Sequence, residues 1–393
     1  MITTEAWVLN KGELIQNGSG HHGNRRAMAE LNREMFSYPD LDDYEVLVEP
    51  IYGGWEGNMG HALERDPVDI CRQRNEDKVV LCNSGVARVL QPGPKVSLVA
   101  EGDLCMVTGG YCWDQHGYIR QAYAYDAPNT IGMLAKRTKI HEKQLIPIPS
   151  QTKYSLKQWA AFSLRYVTAW ANWKQAYGCL RIQLSESEYP HPHVWGWGGG
   201  VVLAELDLAR RFGCEVAMLA SRDSRLEMIS RMGIEAIDRR QFGDLNFDPD
   251  RYESDAEYRN AYRQSESRFL QLVREKTRGE LVSIFIDNIG TPVVRATLKA
   301  LARPGVIATC GWKRGMSVNL LRAIECISWH THVHTHYARY QELAESVRFA
   351  EETGWMAPEE IELYDWEQVP DLARDYCREL INDYFPLIQI NKP

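Results

Sequence analysis

The sequence predicts an α/β protein of two domains, one a doubly wound parallel sheet and the other built on a small, partly open β-barrel. Three observations carry this. From about residue 190 onward, strand and helix patterns alternate, as parallel strands joined by crossover helices require. Within that half, an apolar strand, a glycine cluster and an amphipathic helix follow one another directly. From Tyr44 to Val107, by contrast, short β-rich runs are separated by Gly/Pro turns, the pattern of a small barrel.

The chain has 393 residues, and at about 100 to 200 residues per domain two cores are expected. With 44% hydrophobic and 25% charged residues the composition matches soluble globular proteins, which excludes disorder, collagen-like repeats and membrane architectures. The formal net charge is −8, and the basic residues Arg25, Arg26, Arg72, Arg74, Arg210, Arg211, Arg239 and Arg240 fall in scattered pairs, so no stripe suits a nucleic-acid backbone. The opening MITTEAWVLNKGELI lacks a basic n-region with an apolar h-region. No stretch of about 18 apolar residues could span a bilayer, so a cytoplasmic protein with no membrane partner is expected. Nine cysteines stand singly with no CxxC pair, which argues against a disulfide framework and a structural zinc lobe.

In chain order, the barrel runs are YEVLVEPIYGG, KVVLCNSGVARVL and PGPKVSLVAEGDLCMV. Ser155 to Gly178, SLKQWAAFSLRYVTAWANWKQAYG, carries apolar residues at helical spacing without proline and predicts one or two helices. HVWGWG, VVLAELDLARRFG, EVAMLAS, SRLEMISRMG and AID alternate after it, and SIFIDNIG, TPVVRATLKALARPG and VIATCGW continue the series. Between the two groups, the polar stretch Asp244 to Arg278 holds a helical pattern from Asp255 to Thr277 and predicts an inserted helix.

The most informative segment is VWGWGGGVVLAELDLARRFGCEVAMLAS, a βαβ unit by order and spacing. Gly196, Gly198, Gly199 and Gly200, with Trp197 and Val201 between and after them, allow a tight turn and let backbone approach a pyrophosphate, whose charge the next helix N-terminus stabilises. This is the Rossmann arrangement. The third glycine of the usual fingerprint falls at Val202 or Val201. After the second strand the chain reads Ala220-Ser221-Arg222-Asp223-Ser224-Arg225. A carboxylate there favours NAD, whereas cations favour a 2′-phosphate. Ser221, Arg222 and Arg225 together point to NADPH, Asp223 dissents, and a solvated helix start is the alternative reading.

From about Glu45 to about Pro386 the chain resembles the medium-chain dehydrogenase/reductases. CNSGVARVLQPGPKV is similar to the GNEGVAxVxxVG segment of mitochondrial-type 2-enoyl thioester reductases, EGDLCMV to their PGDxV strand, and AAFSLRYVTAW to the family helix in which Thr168 would face the nicotinamide. FIDNIGTPVVRATLKALARPGVIATCGW resembles the family's later strand, helix and strand, which places Asn288, Gly311 and Trp312 beside the cofactor. The nucleotide half looks most like crotonyl-CoA carboxylase/reductases, through the GxxGG turn, the polar insertion and the TCG strand end. The resemblance implies a GroES-like catalytic domain at residues 1–160 and 345–393, a Rossmann NADPH domain at 161–344 with a helical insertion at about 244–278, a substrate cleft, and a homodimer.

Zinc-dependent members present a cysteine, the histidine of a GHE motif and a further Cys or Asp. Here the cysteine position falls near Tyr52 and Gly53, the GHE segment reads Leu81-Cys82-Asn83, and the four-cysteine lobe is missing, so no metal is expected. Without a Lewis acid, reduction of an activated C=C bond is favoured over alcohol or ketone chemistry. The substrate loop Pro50 to Met59 departs from the related reductases; Tyr52 and Glu56 sit where a proton donor is expected, and Asn58 is placed to hydrogen-bond a carbonyl. In the run Trp329 to His336, four histidines alternate, and on a strand all four would share one face. His334 or His332 matches a histidine that holds carbon dioxide in the carboxylase/reductases; an active-site hydrogen bond, plain structure and a metal site remain the three readings. The resulting expectation is an NADPH-dependent reductase of an enoyl thioester, carried on CoA or an acyl carrier protein. Reductive carboxylation, quinone or enone reduction, a zinc-free alcohol dehydrogenase and a non-catalytic NADPH-binding protein are the alternatives.

Overall fold

A computed structural model describes residues 1–12, 28–315, 317–335 and 338–393. The chain divides into two compact units, Met1–Val167 with Arg339–Pro393, and Thr168–Ala338.

The first unit is built on a seven-stranded sheet in the order Leu145–Pro147, Leu104–Val107, Gly85–Pro92, Glu45–Gly54, Leu387–Gln389 and Leu363–Asp365, with Thr138–His141 also paired to Glu45–Gly54. The last two strands come from the C-terminal end of the chain, and Leu387–Gln389 pairs antiparallel with Gly54, Gly53 and Tyr52. Along Glu45–Gly54 burial alternates through Val46, Val48 and Pro50, as a strand with one covered face requires. From Pro50 to Gly54 every residue is buried, so this strand ends enclosed on both faces. Ile2–Asn10, Leu31–Tyr38 and Lys78–Val80 form a separate three-stranded sheet. Helices α1 (Gly57–Glu64) and Ile70–Arg74 interrupt the stretch that the sequence pattern reads as strands and turns alone.

Helix α2 (Leu156–Gln183) is one continuous helix of 28 residues. Its start is capped reciprocally: Gln158 N donates to Ser155 Oγ at 3.3 Å and Ser155 N to Gln158 Oε1 at 3.0 Å. Trp159, Phe162, Tyr166, Trp170 and Trp173, at spacings of three and four, form its buried aromatic stripe. The chain passes from the first unit to the second inside this helix, between Val167 and Thr168.

The second unit is a six-stranded, wholly parallel sheet of β1 (His193–Trp197), β2 (Glu215–Ala220), β3 (Glu235–Asp238), β4 (Val282–Asp287), β5 (Leu301–Thr309) and β6 (Thr331–Thr335). The strand order is β3-β2-β1-β4-β5-β6, the order of dinucleotide-binding sheets, in which the direction of winding reverses between the first and fourth strands. Every residue of β1 and β4 is buried, as strands covered on both faces require, and apolar side chains predominate in them. Helix α3 (Gly200–Arg211) links β1 to β2, and α4 (Asp223–Arg231) links β2 to β3. The polar stretch forms a short helix, Pro249–Ser254, and then α5 (Ala256–Lys276), each started by an aspartate side chain, Asp248 and Asp255, that accepts from the backbone. Among the described residues no helix is long and apolar enough to cross a membrane.

Candidate functional site

In the second unit, the glycine turn, Asn288 and the 221–225 cluster lie at the carboxyl ends of β1, β4 and β2. Gly196 ends up beneath Val202, whose Cγ1 would lie 2.6 Å from a Cβ at that position. Gly198, at φ +155°, would bring a Cβ to 2.6 Å from Val202 Cγ2. Val202 thus fills the space that two missing side chains leave, and close packing of strand and helix is reached with a valine where a third glycine is usual. Gly199 differs: it caps α3 at φ −103°, and a Cβ added there meets nothing within 4 Å. Neither packing nor backbone conformation demands glycine at 199, and open space lies in front of a helix N-terminus, which fits an approaching pyrophosphate. Val201 is half-buried on the first turn of α3. The Trp197 ring belongs to the core, 4.9 Å from Phe285 and 5.5 Å from Phe269 by ring centroids, so its main chain is the part left to the turn.

Asn288, one residue past β4, ties this edge together. Its Oδ1 accepts from Cys310 N at 3.0 Å, its own N donates to Trp197 O at 3.3 Å, and its Cβ is 3.2 Å from where a Gly198 Cβ would sit. Asn288 O accepts from Lys313 N at 3.1 Å, so the Gly311-Trp312 segment is bound to it as well. Asp287, buried at the end of β4, shapes the loop by accepting from Ile289 N at 3.0 Å, Gly290 N at 3.1 Å and Thr297 Oγ1 at 2.8 Å, while burial pushes its carboxyl above the usual range. Thr168 is half-buried on α2.

At the end of β2, Ser221 is exposed, and Arg222 and Arg225 are half-buried around the start of α4. Asp223, the residue that argues for NAD, is ion-paired: Arg240 donates to it at 2.6 Å and to Asp238 as well. Sequence reading missed Arg240, which lies 17 residues further on.

Of the histidine run, His332 and His334 lie on the strand Thr331–Thr335 and His330 stands before it. His332 pairs opposite Val306 and His334 opposite Ala308 on β6, so these two share a face. His330 precedes the strand at φ +52°, with Nε2 3.1 Å from the Arg303 guanidinium. That left-handed residue breaks the alternation, which corrects the expectation of four histidines on one face. His336 lies outside the described residues. His332 is exposed and His334 half-buried. Among the described residues no three or more His, Cys, Asp or Glu side chains are placed to hold a metal ion.

In the first unit, the buried end of Glu45–Gly54 leads into Trp55, Glu56 and α1. Trp55 is completely buried, and Glu56 is 9% exposed. Glu56 caps α1 without using its side chain, and its Oε1 is buried with no hydrogen-bond partner among the described residues. Burial pushes the carboxyl up to about 7, against the opposing pull of the Arg165 guanidinium. A carboxyl that is half ionised near neutrality can both give and take a proton. Tyr52 is buried on the strand, its hydroxyl raised by burial, and Asn58 is half-buried on α1. Arg165, 5% exposed on α2, donates to Trp55 O. Its only sequence signal is a lone cation within the apolar run AAFSLRYVTAW.

No family model matches the sequence, and no curated protein matches it. Solved structures share its fold. The crotonyl-CoA carboxylase/reductase AntE in complex with NADP is similar at TM-score 0.76 and 19% identity, over 99% of this chain and 95% of that one. The 2-octenoyl-CoA carboxylase reductase CinF in complex with NADP and 2-octenoyl-CoA gives TM-score 0.76 and 18% identity, over 98% of this chain and 87% of that one. The alcohol dehydrogenase of the hyperthermophilic archaeon Aeropyrum pernix gives 0.73 and 18%, over 98% and 99%. At these identities the likeness establishes the fold.

Proposed function

We propose that this chain is an NADPH-dependent reductase of an activated C=C bond, and that its substrate is an enoyl thioester carried on CoA or an acyl carrier protein. The observation that carries the reading is Glu56, an enclosed carboxyl pushed up to about 7 with an unpartnered oxygen. The solved structures of similar fold, two of them carboxylase/reductases crystallised with NADP, support it. In this reading the first unit is a GroES-like catalytic domain and the second a Rossmann domain.

The residues fit the cofactor. Gly199, Gly200 and the start of α3 would hold the pyrophosphate, Ser221, Arg222 and Arg225 the 2′-phosphate, and Thr168, Asn288, Gly311 and Trp312 the nicotinamide end. NADPH bound there would supply a hydride for the β-carbon. Glu56 delivers the proton to the α-carbon, and Asn58 or a histidine of β6 hydrogen-bonds the thioester carbonyl as charge gathers on it. Burial of Glu56 keeps a proton available at neutral pH, where an exposed glutamate would have lost it.

The test is NADPH oxidation with crotonyl-CoA and 2-octenoyl-CoA, with and without bicarbonate, beside a quinone and an alcohol with NADP⁺. Thioester-dependent oxidation supports the reading, and bicarbonate dependence would add carboxylation to it. Turnover with quinone or alcohol alone overturns it.

A further inference from the structure

The turn that carries Glu56 is gripped by a residue more than a hundred positions away. Arg165 projects from α2, its guanidinium donates to Trp55 O, and its NH1 would lie 3.4 Å from a Cβ at Gly54. The same Cβ would meet Ser84 Oγ at 2.6 Å, so glycine at 54 lets the cation lie directly on bare backbone. The guanidinium sits 5.7 Å from the Phe385 ring centroid, and Trp55 N donates to Pro386 O at 3.0 Å. The turn is therefore held between one helix and the C-terminal segment. Two residues before Arg165, Ser163 Oγ accepts from Gly85 N at 2.8 Å, so α2 grips the neighbouring loop also.

The charges around Glu56 are few. Cys82 lies close enough to feel it, but that thiol is pushed up to about 12 by burial and stays neutral, donating to Gly54 O at 3.5 Å and Ser84 O at 3.4 Å. Among the described residues, Arg165 is the charged group that acts on Glu56. We propose that Arg165 is a positioning residue for Glu56: its guanidinium fixes the Gly54-Trp55 backbone that aims the carboxyl, and it is the positive charge against which that carboxyl takes up and releases its proton. The inference rests on the reading of Glu56 as proton donor. Burial and Arg165 act in opposite directions on the carboxyl; removing the cation leaves burial alone, and the carboxyl becomes a weaker acid.

The experiment follows the Glu56 carboxyl by carbon-13 NMR in the substrate-free protein, its signal identified by loss in E56Q, across pH in the wild type, R165M and R165K. The midpoint in R165M is expected above that of the wild type by about one unit or more, with R165K returning toward the wild type. The alkaline limb of thioester reduction moves with it. An unmoved midpoint in R165M, or an R165K that titrates like R165M, overturns the proposal, whether or not thioesters turn over. Should R165M not fold, R165Q makes the same comparison. A wild type that titrates near neutrality and responds to R165M, yet reduces no enoyl thioester, sinks the reductase reading while the coupling of Arg165 to Glu56 stands.

Discussion

Asn172 Nδ2 donates to both carboxyl oxygens of Glu205, at 3.2 and 3.1 Å, and both residues are completely buried, one on α2 and the other on α3. The amide's hydrogen bonds lower the pKa of Glu205 less than burial raises it, and the carboxyl is pushed up to about 8. At neutral pH Glu205 therefore keeps its proton in the folded chain and has lost it in the unfolded one. The folded state then binds more protons, so stability declines as pH rises from the ordinary glutamate range to about 8 and levels off above it. Glu205→Gln keeps a neutral group of the same shape. It is expected to be more stable than the wild type by a few kcal/mol at about pH 9 and nearly equal to it at about pH 4, in urea unfolding monitored by circular dichroism. A constant difference across pH would show that Glu205 is already ionised in the fold.

The two central glycines of the turn separate packing from binding. Gly198→Ala drives a methyl into Val202 and is expected to cost about 2 kcal/mol of stability. Gly199→Ala meets nothing, so its cost is that of a poorer helix cap, about 0.5 kcal/mol. Its loss of NADPH affinity is expected to be about tenfold or more, because the added methyl stands where the pyrophosphate must approach backbone. Fluorescence titration of NADPH decides this, and wild-type affinity in Gly199→Ala would remove the pyrophosphate from that site.

Cofactor choice turns on the cluster after β2. Arg222→Ala and Arg225→Ala are each expected to weaken NADPH binding about tenfold while leaving NADH unaffected, since only the former carries a 2′-phosphate. Arg240→Ala should also disfavour NADPH by releasing the Asp223 carboxylate. Equal losses for both cofactors would mean that these side chains support the helix start instead.

Glu56→Gln is expected to lower kcat for thioester reduction by about 10² to 10⁴ with NADPH affinity unchanged. As a proton donor Glu56 acts in its protonated form, so wild-type activity should fall as pH rises past about 7. A variant that keeps its rate, or a profile flat across neutrality, assigns the proton to another group.

The legible parts of this protein were those set by neighbours in sequence. Apolar runs with glycine between them mark β1, α3 and β2 because a parallel strand is buried on both faces and a tight turn needs residues without side chains. Helix α2 is legible from its apolar spacing, which leaves one helix or two open, and the structure shows one. Local pattern fails where one residue's backbone departs from its neighbours' conformation: alternation would put the histidines on one face of a strand, but His330 is left-handed and stands before the strand.

What the tertiary structure alone decided is which distant groups share an enclosure. Glu56 could be singled out by its place in a loop, but its shift toward neutrality depends on burial and on Arg165, 109 positions on, and neither is written near it in the chain. The pairs Asn172 with Glu205, Asp223 with Arg240 and Asn288 with Cys310 are of the same kind. Periodicity is a property of backbone geometry and repeats within a few residues, so the sequence by itself determined the elements of the parallel sheet and its glycine turn. Proton affinity and hydrogen-bond partnership depend on dielectric and distance, which exist only once the chain has closed around them.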